Sequence, residues 1–331
     1  MSSSTPGSGS MLAGRYRLVE PLGSGGMGTV WRAHDELLDR VVAIKEVQLP
    51  AWLDDEARDM VRRRTMREAR AAARLRHTGI VMIFDVIEQD SRPWIVMELV
   101  EAPSLAQVLR ERGSLPPLRV ASIAMQVLDA MVTAQAGGVA HRDIKPANVL
   151  ISDKGRVVLT DFGIARQAGD ETLTGAGLLL GSPDFLAPER ARGHDSPGLA
   201  ADLWSLGAMM YAAVEGRRPF ERDGPLPTLT AVVMDEPDPP RRAGPLRPII
   251  DRLLVKDPAH RMDAETTRRM LERVVRGRVS TAPPPAGRRA GPAAPPWAPR
   301  PADLGAAGPP AAGAAAGAAG AAGAAGAAGA A

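Results

Sequence analysis

The sequence predicts an α+β chain with two lobes. Two patterns along the chain carry that prediction. Short runs rich in Val, Ile and Leu, punctuated by glycine, come first, and helical periodicity takes over after residue 100. Strands are expected at 15–22, 29–33, 41–47, 80–87 and 94–99. A helix over about 53–75 interrupts them, with Asp54, Asp55 and Glu56 in its first turn, where they suit the helix dipole. The second lobe should hold helices at 105–112, 118–136, 200–215, 246–255 and 264–275, with a short strand at 156–159. The expected organisation is a leader over 1–14, a β-rich lobe over 15–100 with one helix, a larger mainly helical lobe over 101–278 and a tail over 279–331.

Both ends read as disordered on composition. The start is rich in Ser and Gly and lacks the apolar run of a signal peptide. The tail closes on 21 uncharged residues, 311–331, which are fifteen Ala and six Gly. Its length alone would suggest a membrane span, but it has no Leu, Ile, Val or Phe to favour insertion, so no span is expected in the chain. Residues 279–331 are instead expected to act as a Pro/Ala/Gly-rich spacer, with stretches near 282–285 and 292–296 able to adopt polyproline II.

Composition excludes several classes. There is no cysteine among the 331 residues, so a disulfide scaffold, a Cys-ligated metal and a thiol nucleophile are all ruled out. A net charge of +3 offers no concentrated basic surface for nucleic acid. Only four of the 41 basic residues are Lys: Lys45, Lys145, Lys154 and Lys256. A lysine kept in so arginine-rich a chain suggests a task that needs a compact ammonium.

Five motifs carry chemistry. Gly23-Ser24-Gly25-Gly26-Met27-Gly28 precedes Thr29-Val30, so the glycines turn into a second strand and not into a helix, as a dinucleotide fold would require. Such a flap lets backbone N–H groups approach polyphosphate. Val42-Ala43-Ile44-Lys45 places an ammonium in an apolar strand. Its candidate partner is Glu68, although local sequence favours a surface pair with Arg64, worth about 0.3–0.5 kcal/mol. In His141-Arg142-Asp143-Ile144-Lys145-Pro146-Ala147-Asn148, a carboxylate, an ammonium and an amide share one loop that Pro146 keeps from being helical. Asp143 can accept a hydroxyl proton, Lys145 can steady a phosphoryl group and Asn148 can ligate a hard cation. Thr160-Asp161-Phe162-Gly163 supplies a second cation ligand at a strand end. Ala187-Pro188-Glu189, with Asp202-Leu203-Trp204 and Lys256-Asp257-Pro258-Ala259-His260-Arg261, suggests a buried Glu189–Arg261 brace.

Taken in order over about residues 15–278, these motifs resemble the protein kinases, and Lys145 resembles the serine/threonine branch. The chain looks most like the bacterial eukaryotic-like Ser/Thr kinases. The resemblance implies a bilobal protein-kinase fold and an ATP- and Mg2+-dependent enzyme, with Mn2+ as an alternative metal. Its substrates would be Ser or Thr hydroxyls of proteins. It further implies that Gly23 to Gly28 cover the phosphates and that Lys45 contacts them while pairing with Glu68. Leu22, Val30, Ala43 and Leu150 would sandwich the adenine behind a Met97 gatekeeper, with the backbone of Glu98 and Val100 on its edge. Asp143 and Lys145 would be catalytic, and Asn148 and Asp161 would hold metal. Arg142 would bind an activation loop phosphorylated at Thr172 or Thr174. Ala72, small where relatives carry Leu, suggests that a homodimer through the β-lobe positions the helix. A cytoplasmic location is expected. The alternatives are a nucleotide-binding pseudokinase scaffold, an adaptor acting through the Pro-rich tail, and a kinase of small molecules.

Overall fold

Period-two alternation builds the first lobe in this computed structural model, which describes residues 7–25, 28–49, 53–162, 183–193 and 198–277. Strands β1 (Met11–Leu12), β2 (Tyr16–Gly25), β3 (Gly28–Asp35), β4 (Arg40–Glu46), β5 (Ile83–Gln89) and β6 (Arg92–Met97) form one antiparallel sheet in the order β1-β2-β3-β4-β6-β5. Successive side chains on a strand point to opposite faces. Along β4, Val42 and Ile44 therefore join Leu18, Trp31, Trp94 and Val96 in an outer core, while Ala43 joins Ile95 and Met97 on the inner face. Lys45, two residues past Ala43, shares that inner face.

The leader expected over 1–14 is shorter than the sequence suggests. Met11 and Leu12 pair with Arg17 and Tyr16, and Leu12 is buried. A two-residue strand in a Ser/Gly-rich stretch is too short to show a periodicity. Helix α1 (Asp55–Ala72) falls within the expected span. Asp54 caps it by accepting the Ala57 N–H at 2.7 Å, and Val61, Thr65, Met66, Ala69 and Ala72 form its buried stripe.

In the second lobe, helices α2 (Leu105–Arg112) and α3 (Pro117–Ala136) precede a two-stranded ribbon, β7 (Val149–Ile151) and β8 (Val157–Leu159). Then come α4 (Pro188–Ala191), α5 (Leu199–Glu215), α6 (Pro225–Met234), α7 (Arg247–Leu253) and α8 (Ala264–Val275). Every residue of α5 from Ala201 to Val214 is buried, as expected of a helix that is apolar all round and forms the centre of its lobe. Gly207 is required there: a Cβ would lie 2.7 Å from the Leu253 Cβ, so the glycine lets α5 and α7 approach. Helix α6 was not expected. Pro225 and Pro227 read as loop, but a proline in the first helical turn lacks only an N–H that would be unpaired anyway.

The expected brace is present. Arg261 donates to both oxygens of Glu189 at 2.7 and 2.8 Å, with both side chains almost fully enclosed, and donates as well to the carbonyls of Val255, Ala200 and Lys256. Every part of the guanidinium fork is used, which is the condition under which a buried charge pair is tolerated.

Candidate active site

The site is built where the inner face of the sheet meets the loop between α3 and β7. Register places Val30 opposite Lys45, Lys45 opposite Ile95, and Ala43 opposite Met97. Val30, Val100 and Leu150 pack against the core cluster that contains Ala43 and Met97. Leu22 remains exposed. The Glu98 backbone N–H already donates to the Met82 carbonyl at 2.8 Å, and its side chain pairs with Arg156. Gly28 lies at φ +126°, and a Cβ there would overlap the Glu46 carbonyl oxygen, so the flap presses closely on the end of β4. Gly23, Ser24 and Gly25 continue β2, whereas Gly26 and Met27 lie outside the described residues.

The 141–148 loop is held by hydrogen bonds from below. His141 is fully buried. Its Nδ1 accepts the Asp143 N–H at 3.3 Å, so the Nε2 proton points to the Thr160 carbonyl at 2.9 Å. Burial lowers its pKa, and the imidazole stays neutral. Phe162 packs on the same ring at 4.5 Å between centroids. Asp202, on α5, accepts the backbone N–H groups of both His141 (2.9 Å) and Arg142 (2.8 Å), and Arg190 donates to the Arg142 carbonyl at 2.7 Å. These contacts hold Arg142 at φ +65°, a conformation that costs a non-glycine residue about 1–3 kcal/mol. Asp202 is a positioning residue that the sequence reading named within a motif without assigning it these contacts. A carboxylate on an otherwise apolar helix was the available signal, because a buried acid must find donors.

On this frame Asp143, nearly enclosed, accepts from the Lys145 ammonium at 2.8 Å and from the Asn148 amide nitrogen at 3.0 Å. The same nitrogen donates to the Asp143 carbonyl at 2.8 Å. The amide NH2 is thus committed, and the amide oxygen is left as the atom able to bind a cation. Opposite, Lys45 donates to Asp161 at 2.7 Å. Burial would raise the Asp161 pKa, but the ammonium outweighs it and holds the carboxyl below its ordinary range. Among the described residues no three His, Asp or Glu side chains cluster as a self-sufficient metal cage. One carboxylate and one amide oxygen instead suit a hard cation that takes the rest of its shell from phosphate and water.

One expected contact is replaced by another. Glu68 does not meet Lys45. Its Oε1 lies 3.4 Å from Arg64 and 3.5 Å from Arg142, while its Oε2 is buried with no hydrogen-bond partner among the described residues. The reason is competition: Asp161 takes the Lys45 ammonium, and two guanidinia face Glu68. Burial raises the Glu68 pKa against the pull of Arg142 and then Arg64. A cavity of about 110 Å3 separates this part of α1 from Val139 and Phe162, next to the small side chain of Ala71. Thr172, Thr174 and Gly163 lie outside the described residues.

Comparison with known proteins agrees with this arrangement. The model of the protein kinase domain matches residues 16–271. The chain is 38% identical over 264 residues to serine/threonine-protein kinase PknA of Mycobacterium tuberculosis, covering 78% of this chain and 60% of the relative. It is 38% identical over 236 residues to the probable serine/threonine-protein kinase PknB of Corynebacterium glutamicum, covering 70% of this chain and 36% of the relative. Against serine/threonine-protein kinase PrkC of Bacillus subtilis it is 36% identical over 263 residues, covering 77% and 39%. The chain thus matches 60% or less of the length of these relatives. With the motifs in order, the two-lobed fold around them and a family match over most of its length, the chain belongs to the protein kinase family.

Proposed function

We propose that the chain is an ATP-dependent serine/threonine protein kinase. The observation that carries this reading is the Asp143 carboxylate clasped between Lys145 and Asn148, with the Asp161 carboxylate, paired to Lys45, close enough to feel the Lys145 ammonium. Lys45 would bind the nucleotide phosphates under the strand of Gly23, Ser24 and Gly25 and the turn that follows it, with the adenine against Val30, Ala43, Met97, Val100 and Leu150. Asp143 would orient the substrate hydroxyl and take its proton as the oxygen–phosphorus bond forms and the bond to the departing ADP breaks. Lys145 would steady the charge on the group in transit. Asn148 and Asp161 would hold a divalent cation, Mg2+ with Mn2+ as a substitute, which when bound neutralises phosphate charge.

Arg142 connects this site to regulation. It contacts Glu68 here, and a phosphate on Thr172 or Thr174 would compete for the same guanidinium. A β-lobe homodimer is supported by Leu37, Leu38 and Val41, which stand exposed on the β3–β4 hairpin. No helix among the described residues is long and apolar enough to cross a membrane. A cytoplasmic setting fits ATP as phosphate donor and a chain without cysteine.

The reading is tested by incubating the full chain with γ-labelled ATP, Mg2+ and a mixed protein substrate, followed by phosphoamino-acid analysis. Phosphoserine or phosphothreonine that disappears with a chelator is expected. ATP hydrolysis with no label on protein would overturn the assignment.

A further inference from the structure

A groove beside the catalytic loop carries charge that the transfer chemistry does not use. Its volume is about 570 Å3, and it lies between α2, the 145–147 turn, Phe185 and the segment that follows α5. Lys145 opens onto it, so the groove starts at the catalytic loop itself. Arg110, Arg217 and Arg218 line the rest, against one carboxylate among the described residues, Glu221. Two of these four cations are committed: Lys145 to Asp143 at 2.8 Å and Arg218 to the buried Asp184 at 3.2 Å. Arg217 pairs with Asp238 at 2.7 Å in an exposed contact, the kind worth under about 1 kcal/mol and easily exchanged. Arg110 is exposed and makes no ion pair among the described residues.

Arg110, and Arg217 by exchange of its exposed pair, are thus available to a ligand in a concave surface that Leu109 and Phe185 also line. Such a surface concentrates anions, and each planar fork can hold a carboxylate through two hydrogen bonds. Because the groove opens from the residues that would orient the acceptor hydroxyl, its occupant is the polypeptide bearing that hydroxyl. We propose that this groove selects protein segments in which the acceptor Ser or Thr is flanked by Asp or Glu, with Arg110 and Arg217 as the specificity-determining residues. The inference rests on the protein-kinase reading of Asp143 and Lys145.

The test uses the full chain and labelled peptides in which Ala replaces the acceptor and Glu, Gln or Lys fills the flanks. Binding is followed by fluorescence anisotropy. The Glu peptide should bind about tenfold more tightly than the Gln peptide at low salt, since two exposed ion pairs add a few-fold each. That advantage should vanish near 1 M salt, where the screening length is about 3 Å. Arg110→Gln and Arg217→Gln should each weaken the Glu peptide several-fold and leave the Gln peptide unchanged. Both side chains are exposed, and neither change strands the buried Asp184, as loss of Arg218 would. Equal binding of the three peptides, or preference for Lys, overturns the proposal. Phosphate transfer to Thr-bearing versions is read separately. Glu-selective binding without transfer to any peptide would refute the kinase reading and leave the groove's selectivity standing; transfer with no flank preference in binding would do the reverse.

Discussion

Glu189 and Glu68 each face arginine, and the two regions use that pairing differently. In the helical lobe Glu189 meets one guanidinium through both oxygens, at hydrogen-bond distance and out of reach of water. In the cleft Glu68 shares one oxygen between two guanidinia at 3.4 and 3.5 Å, its other oxygen has no hydrogen-bond partner among the described residues, and a cavity adjoins it. The first arrangement has no alternative partner and acts as a brace. The second is built from single long contacts, each replaceable by another charge within reach. Rigidity sits under the site, and exchangeable pairing sits inside it.

The largest effect that separates the two regions is on stability. Glu189→Ala leaves Arg261 buried and unpaired and should cost about 3–5 kcal/mol. At about 2–4 °C per kcal/mol for a domain of this size, Tm should fall by roughly 10 °C. Glu68→Gln should move Tm by less than the equivalent of about 1 kcal/mol. Equal Tm losses in thermal denaturation of the two variants would erase the contrast.

Activity should reverse the ranking. Lys45→Met removes the ammonium that would hold phosphate, and phosphate transfer should fall about 10²–10³-fold, the scale of a lost charge-stabilising donor, with Tm near that of the parent chain. A variant that transfers at the parental rate would remove Lys45 from the site.

A smaller effect is expected in the pH dependence of stability, and its sign differs between the two cleft carboxylates. The Glu68 pKa is raised above its ordinary 4.5, so the folded chain holds a proton that the unfolded chain releases. Its contribution is complete below 4.5 and is lost as pH climbs through the raised value. The Asp161 pKa is lowered below 3.8, so its contribution is present above 3.8 and fades as pH drops through the depressed value. In Tm-versus-pH profiles, Glu68→Gln should flatten the mildly acidic side and Asp161→Asn the strongly acidic side. Profiles that overlay the parent's would show that neither carboxyl is perturbed as described.

The chemistry was legible because it depends on residue types in one order. Asp143, Lys145 and Asn148 lie within one short loop, and local chain geometry alone brings them together. Most strands and helices were legible for the same reason: their periodicity is local. What escaped the sequence was settled by competition in space. Whether Lys45 takes Asp161 or Glu68 depends on where α1 sits, and no spacing between residues 45, 68 and 161 records that. Asp202 was visible as a motif residue, but its two backbone partners lie some sixty positions away. Helix α6 was hidden because its prolines fall where a helix tolerates them, and the Arg110–Arg217 groove because its walls come from segments a hundred residues apart.

The most direct test is Asp143→Asn, with nucleotide binding and phosphate transfer measured on the same preparation. The substitution keeps the shape of the side chain and removes its ability to take a proton. Nucleotide affinity and Tm should stay at the parent's values while transfer falls about 10²–10⁴-fold. Transfer at the parental rate would contradict the claim that Asp143 is the proton acceptor around which this site is built.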